Sequence, residues 1–261
     1  LHFDLTDHYH HRPSFIHRLD PRVKVLAALS GILAVSLTPA GSWAAFAASF
    51  VLALALAWGA RVGLVFAIRR SYIALPFVLA ALPIPFITPG PTLFELPLLG
   101  WPVSVPGAIR FVSILLRTWL AVQFAILLTA VTRFPDLLWA LSKLKVPRIL
   151  VAMIGFLYRY LFVLADEALR MLRARAARSP RTPGAKRPSI GWQSRVAGGM
   201  VGSLFLRALE RSERVYAAMV SRGYDGQVRS VTDFRMVRLD WVALSTVLMA
   251  LLVVLGLAMV G

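Results

Sequence analysis

The chain contains no cysteine. Disulfides, thiolate metal sites and cysteine nucleophiles are therefore excluded, although the absence does not identify a compartment. Acids are scarce, with 12 Asp and Glu against 29 Lys and Arg, so paired-carboxylate chemistry has few places to sit. The HExxH and GxSxG motifs of metal and serine hydrolases are missing. So is the phosphate-loop spacing GxxxxGK[ST], which leaves the chain without an ATPase signature of its own. No internal repeat is visible, and repeated halves around midplane polar sites are what a secondary carrier usually shows. These absences point away from an enzyme. The N-terminal segment is polar, and the first apolar run has no convincing cleavage site, so no signal peptide is expected.

What the chain does have is apolar length. Hydrophobic residues make up 58% of it, and the mean hydropathy is +0.71. They fall in runs of roughly 16–26 residues with almost no charge, the length that spans a bilayer. The expected spans are about Val23–Pro39, Trp43–Trp58, Ser71–Thr88, Gly107–Val131 and Trp241–Val260. Pro76, Pro83 and Pro85 each lack a backbone donor and should kink the third span. Arg61–Arg70 is short, with basic ends and an apolar middle, and is read as interfacial. Pro89–Pro106 is read as a loop.

Net charge is +17. In a soluble protein that would suggest nucleic acid; here the basic residues lie between and after the apolar runs, where anionic lipid and cytoplasmic orientation explain most of them. The connections near 41 and 89–105 carry no basic residue. The positive-inside rule puts those two outside and the N-terminus in the cytoplasm. A further apolar stretch, Ile149–Leu164, raises a parity conflict, because a crossing there would export the most basic region of the chain. It is therefore assigned to the inner interface, where an amphipathic helix lies in the membrane plane. The expected architecture is an all-α integral membrane fold over 1–261, treated as a single membrane domain. It has about five transmembrane helices plus two long amphipathic cytoplasmic coupling helices, in a coupling region of about 133–238.

The first long helix should run from about Pro147 to Ala177 and the second from about Trp192 to Ser221. Val196, Met200, Leu204 and Met219 mark one apolar face of the second, with Leu209 and Val215 at its edges. Arg207, Glu210, Arg211 and Arg214 mark the polar face, Glu210 and Arg214 in the favourable i,i+4 order. The connector Ser179–Gly191 is basic and broken by Pro180, Pro183, Gly184 and Pro188. Gly198 and Gly202, with Gly199 between them, form a small-xxx-small pattern that would permit a close helix crossing. The first helix ends in Ala177-Arg178-Ser179 and the second in Ser221-Arg222-Gly223. Arginine in a last turn favours the helix dipole, and glycine after it is the usual stop. Two such ends also suggest a pair of pegs for two equivalent sockets.

These residues resemble the transmembrane (T) component of energy-coupling-factor transporters, whose two coupling helices end in small-Arg-small motifs. The cobalt/nickel, CbiQ-like branch is the most similar. The likeness runs through Leu19–Val25 (LDPRVKV), Phe134–Val151 (FPDLLWALSKLKVPRILV), Phe156–Ser179 (FLYRYLFVLADEALRMLRARAARS) and Ala218–Gly226 (AMVSRGYDG). Ser179 and Ser221 each depart from the family's Ala-Arg-Gly. The resemblance implies a non-catalytic, multi-pass subunit of the cell inner membrane. It implies two ATP-binding subunits docked on Arg178 and Arg222, and a substrate-binding (S) membrane subunit on the coupling helices. ATP and Mg would be held by those partners, and Co2+ or Ni2+ would be the cargo.

His8, His10, His11 and His17, with Asp4 and Asp7, are residue types that can ligate such ions. They sit in a polar terminal segment without an evident second shell, and the resemblance places metal capture on the S subunit. No cofactor or metal is expected on this chain. Arg110 and Arg117 lie on one face of the fourth span, where an ionisable residue is a functional hypothesis by default. Arg159, Asp166 and Glu167 lie in the first coupling helix, where Arg159 could pair with an acid. The nearest rival reading is a conventional ABC permease subunit for another small solute, with one coupling helix per chain.

Overall fold

The computed structural model describes residues 14–61, 72, 75–95, 102–178, 189–226 and 234–260. Its helices are α1 (Phe15–Arg18), α2 (Pro21–Leu37), α3 (Trp43–Gly59), α4 (Leu75–Ala81), α5 (Ile84–Ile87), α6 (Val105–Val131), α7 (Phe134–Lys143), α8 (Arg148–Arg178), α9 (Ile190–Val220) and α10 (Arg238–Val260). Between α5 and α6 the expected loop forms a short antiparallel ribbon, β1 (Thr92–Glu95) with β2 (Pro102–Ser104). The fold is otherwise all-α, as expected of this membrane protein. By length and composition, Val105–Val131, Arg148–Arg178 and Arg238–Met259 are long and apolar enough to cross a membrane, with shorter apolar helices at Trp43–Gly59 and Leu75–Ile87. The stretch Ile149–Leu164 lies in one of those long helices, so its assignment to the interface rests on the charge distribution alone.

The single membrane domain expected over 1–261 divides into two compact units, one holding α1 to α7 with α10, the other α8 with α9. In the first, α2 packs on α6, α7 and α10, and α3 packs on α6 and α10. Its core is built from small residues meeting large ones. Val35, Phe46, Ala53, Leu120 and Phe124 form one buried cluster. Ala57, Ala60, Leu127, Ala130 and Val131 form another.

Close approach needs glycine at two places here. A Cβ on Gly31 would lie 2.9 Å from Phe124 Cδ1, so α2 and α6 could not meet as they do with any other residue there. A Cβ on Gly107 would lie 2.8 Å from the Pro85 Cα, which fixes α5 against α6.

Helix starts follow the sequence signals. The Asp20 carboxylate accepts from Arg22 N at 2.8 Å, with Pro21 in the first turn. Ser104 Oγ accepts from Gly107 N, and Ser189 Oγ from Trp192 N. These are ordinary N-caps that satisfy orphan helix donors. α4 and α5 are separate helices divided at Leu82 and Pro83, where the prolines predict only a kink in a single span.

The DPR-K segment turns out to be a clamp. Asp240 Oδ1 accepts from Asp20 N, and its Oδ2 accepts from Val237 N, both at 2.9 Å. This carboxylate, 2% exposed, closes the N-terminus of α10 and ties it to the start of α2. Arg22 stacks over Trp139 at 4.4 Å. Lys24 Nζ donates to the carbonyls of His17 (2.9 Å) and Val131 (3.2 Å), capping the end of α6.

Candidate functional site: the α8–α9 pair

The two long helices each contain 31 residues. At 1.5 Å per residue each is roughly 46 Å long. They run antiparallel. Residues from Leu150 to Leu164 of α8 and from Ala208 to Met219 of α9 line one groove. Glu167 reaches Arg207, and the Arg175 guanidinium lies 5.6 Å from the Trp192 ring.

The half-buried residues of α9 include Val196, Met200, Leu204, Ala208, Arg211, Val215 and Met219. Their spacing of three and four is that of one helix face; it contains the expected Val196, Met200, Leu204 and Met219, adds Ala208, and takes in Arg211, which was expected on the polar face. Leu209 lies outside it, half exposed. Glu210 and Arg214 pair on the open side at 3.8 Å.

The crossing is polar. Glu167 Oε1 accepts from Arg207 Nη1 at 2.7 Å, and Oε2 accepts from Arg170. Hydrogen bonds from Arg170, then from Arg207, hold the Glu167 carboxyl below the usual carboxylate range. Sequence reasoning named Glu167 but not this role; an acid surrounded by arginines on both helices was the available signal. Arg159 is exposed and makes no ion pair among the described residues.

Gly198 and Gly202 do not form the crossing, and that expectation is corrected. A Cβ on either, or on Gly199, would meet nothing within 4 Å. The helices meet instead at the Glu167–Arg207 ion pair. Close glycine-mediated approach occurs at Gly31 and Gly107, which the spacing rule missed because their partners, Phe124 and Pro85, are large rather than small.

Beside the crossing the apolar faces diverge and leave a groove of about 600 Å³. Met153, Leu157, Tyr160, Val215 and Met219 line it, with Arg211 at its edge. Met153 is 59% and Leu157 66% exposed, while α9 has no fully buried residue. Nothing within this chain covers that surface among the described residues.

Both helices end in the arginines singled out from sequence. Ala177 and Arg178 close α8 and are exposed; Ser179 lies outside the described residues. At the end of α9, Tyr224 N donates to Met219 O (3.0 Å) and Gly223 N to Val220 O (2.9 Å). Gly223 takes φ +79°. This is a Schellman closure, which needs the left-handed conformation that glycine adopts at no steric cost. It leaves Ser221, Arg222 and Gly223 exposed on a defined turn. Neither Arg178 nor Arg222 makes an ion pair among the described residues. Because the helices are antiparallel, the two arginines mark opposite ends of the pair.

The other sequence candidates fall elsewhere. His8, His10 and His11 lie outside the described residues, as do 62–70 of the interfacial segment. His17 Nδ1 sits 2.7 Å from Ser14 Oγ. No group of metal-ligating side chains occurs among the described residues. Arg117 donates to Thr38 O, capping the end of α2, while Arg110 is exposed on the same cavity wall.

Comparison with known proteins gives a consistent result. The profile of the family described as "CbiQ: Cobalt transport protein" matches residues 12–232. An uncharacterized protein of Methanocaldococcus jannaschii is 29% identical over 211 residues, covering 77% of this chain and 70% of that one. The energy-coupling factor transporter transmembrane protein EcfT of Listeria innocua is 30% identical over 255 residues, 93% of this chain and 92% of its own. The cobalt transport protein CbiQ of Rhodobacter capsulatus is 28% identical over 152 residues, 58% and 60% of the two chains.

Proposed function

Because the chain belongs to the CbiQ family of cobalt transport proteins, we propose that it is the transmembrane coupling component of an energy-coupling-factor importer for cobalt or nickel. It is a multi-pass membrane protein, read with its N-terminus in the cytoplasm, and its role is mechanical rather than catalytic. Two cytoplasmic ATPases dock on Arg178 and Arg222. A metal-binding S subunit lies on the apolar groove of α8 and α9. ATP and Mg belong to the ATPases, and the metal ion to the S subunit.

The observation that carries this reading is the placement of the two arginines. Each is exposed at a helix C-terminus, and roughly 46 Å of helix lies between the two ends. A single partner site would not need two such ends. Two ATPases, each offering an acidic groove, would take one end each. Arginine suits the task because its planar fork stays charged and pairs bidentately with carboxylates. Truncating one partner of a buried hydrogen-bonded charge pair costs about 2–5 kcal/mol. A conventional permease, the alternative, would present one coupling helix per chain in a symmetric pair.

The test is co-expression with the neighbouring ATPase and S-subunit candidates. Complex recovery and metal uptake are compared for wild type, Arg178→Ala, Arg222→Ala and the double variant. Each single change should weaken ATPase retention, and the double change should abolish uptake while the chain still inserts and purifies. Unchanged assembly and uptake in the double variant would mean that the arginines are only helix caps.

A further inference from the structure

The first unit holds two cations that coupling leaves unused, at the end where α2 finishes and α6 begins. α5 packs on α6 beside them. Between these three elements lies a cavity of about 500 Å³, within the roughly 300–1,000 Å³ of ordinary ligand sites. Its wall is mostly apolar, formed by Pro83, Ile84, Ile87 and Ile114, with Arg110 and Arg117 set into it. It opens at Ile87, which is 77% exposed. No acid lines it among the described residues.

Neither arginine is neutralised. Arg110 is exposed, and neither it nor Arg117 makes an ion pair among the described residues. Arg117 donates to the Thr38 carbonyl at the end of α2, but a helix C-terminus supplies only a partial charge. Its Nε is buried without a hydrogen-bond partner. The hydroxyls of Thr88 and Ser113, also on the wall, already give their hydrogens to the carbonyls of Ile84 and Ile109. The arginines are thus the groups left to meet an anion. The level is that of a membrane surface. Counted from Val105, Arg110 lies roughly 8 Å and Arg117 roughly 18 Å along α6, and helical side chains lean back toward the N-terminus. Trp43, 48% exposed, opens α3 at the same turn of chain, and tryptophan concentrates at headgroup depth.

We infer that this cavity seats one anionic phospholipid, its phosphate on Arg110 and Arg117 and the glycerol end of its acyl chains against Ile84, Ile87 and Ile114. The mixed wall selects the occupant, because the isoleucines call for hydrocarbon and the guanidiniums for an anion. A zwitterionic lipid brings the same phosphate but sets an ammonium beside two cations. Free phosphate leaves the apolar wall wet. The positive-inside orientation assigns the lipid to the outer leaflet. None of these residues belongs to α8 or α9, so the site stands or falls apart from the coupling reading.

Because the chain has no cysteine, Ile87→Cys gives one labelling position at the mouth. The purified full chain, labelled there with a small fluorophore, is placed in phosphatidylcholine nanodiscs. These contain increasing amounts of phosphatidylglycerol or phosphatidylcholine brominated near the glycerol end of the acyl chains. Brominated phosphatidylglycerol should quench at a mole fraction lower by on the order of ten-fold, as two near-surface arginines imply. Arg110→Gln changes only an exposed side chain and should cut that preference by on the order of five-fold, one arginine's share; Arg110→Lys should keep most of it. Arg110→Gln/Arg117→Gln should bring the two lipids level. Arg117 also caps α2, so the single variant decides if the double one fails to fold. The same label at Trp58→Cys, at the far end of α3, should not respond to Arg110→Gln, which separates a site from the general attraction of anionic lipid to a basic chain. Equal quenching by the two lipids at Ile87→Cys would overturn the site and leave the arginines to a partner's carboxylate. So would a preference that survives Arg110→Gln, one that falls equally at both labels, or one that excess glycerol phosphate abolishes, the mark of a free-anion site.

Discussion

Asp240→Ala should destabilise the membrane unit more than any single surface change. The carboxylate is buried, and its two oxygens accept from the backbone N–H groups of Asp20 and Val237, each at 2.9 Å. Alanine leaves both donors without a partner. A buried donor left unsatisfied costs about 1–3 kcal/mol, so the pair predicts a loss of roughly 2–6 kcal/mol. The loss should be non-local, because the Asp20 bond joins residues 220 apart in sequence. Asp240→Asn keeps one acceptor but turns an amide donor toward the other N–H, so it should recover at most about half. Denaturant unfolding in mixed micelles measures the difference, and limited proteolysis around Asp20 reports whether the start of α2 has come loose. A stability within about 0.5 kcal/mol of wild type, the range of ordinary surface changes, would refute the clamp.

Gly31→Ala should cost about 1–3 kcal/mol by overpacking, since the new methyl would press on the Phe124 ring; Gly31→Ala/Phe124→Leu should recover part of it in the same unfolding assay. Gly223→Ala should cost roughly 1–2 kcal/mol, the penalty of a left-handed L-residue, with no steric component because a Cβ there meets nothing. Its signature is faster amide exchange at the end of α9 and weaker ATPase retention, with the first unit unchanged. The Glu167 link gives a pH prediction. Its folded carboxyl titrates below the ordinary range because Arg170 and Arg207 bond the charged form. The link is therefore complete above the ordinary carboxylate range and is lost as pH falls through the lower folded value. Spin-label distances between α8 and α9 should stay constant down to that range and broaden only below it, and Glu167→Gln should remove the transition.

What the sequence made legible was whatever depends on local chemistry. Hydropathy marked the apolar helices, the proline run marked the place, expected only to kink, where α4 and α5 separate, and Gly223 marked the end of α9. Most of the half-buried stripe of α9 followed from residue spacing, but Arg211, assigned by its charge to the polar face, lies in that stripe. Long-range pairing was not legible. Nothing near Asp240 announces that its partner is the backbone of Asp20. The same limit misdirected the search for a crossing. Glycine spacing pointed to Gly198 and Gly202, yet a glycine matters only where another atom arrives, and atoms arrive at Gly31 and Gly107. The two arginines were visible as motifs, but that they stand at opposite ends of an antiparallel pair required the fold.

The absence of any fully buried residue on α9 has a practical consequence for mutational scanning. A screen that scores this chain alone for folding or abundance will find most α9 positions permissive, because removing an exposed side chain opens no cavity. The same positions scored through an assembled complex would divide sharply, with tolerance confined to those that face water there. The contrast between the two maps, position by position along 190–220, would outline the footprint of every neighbour without a structure of the complex.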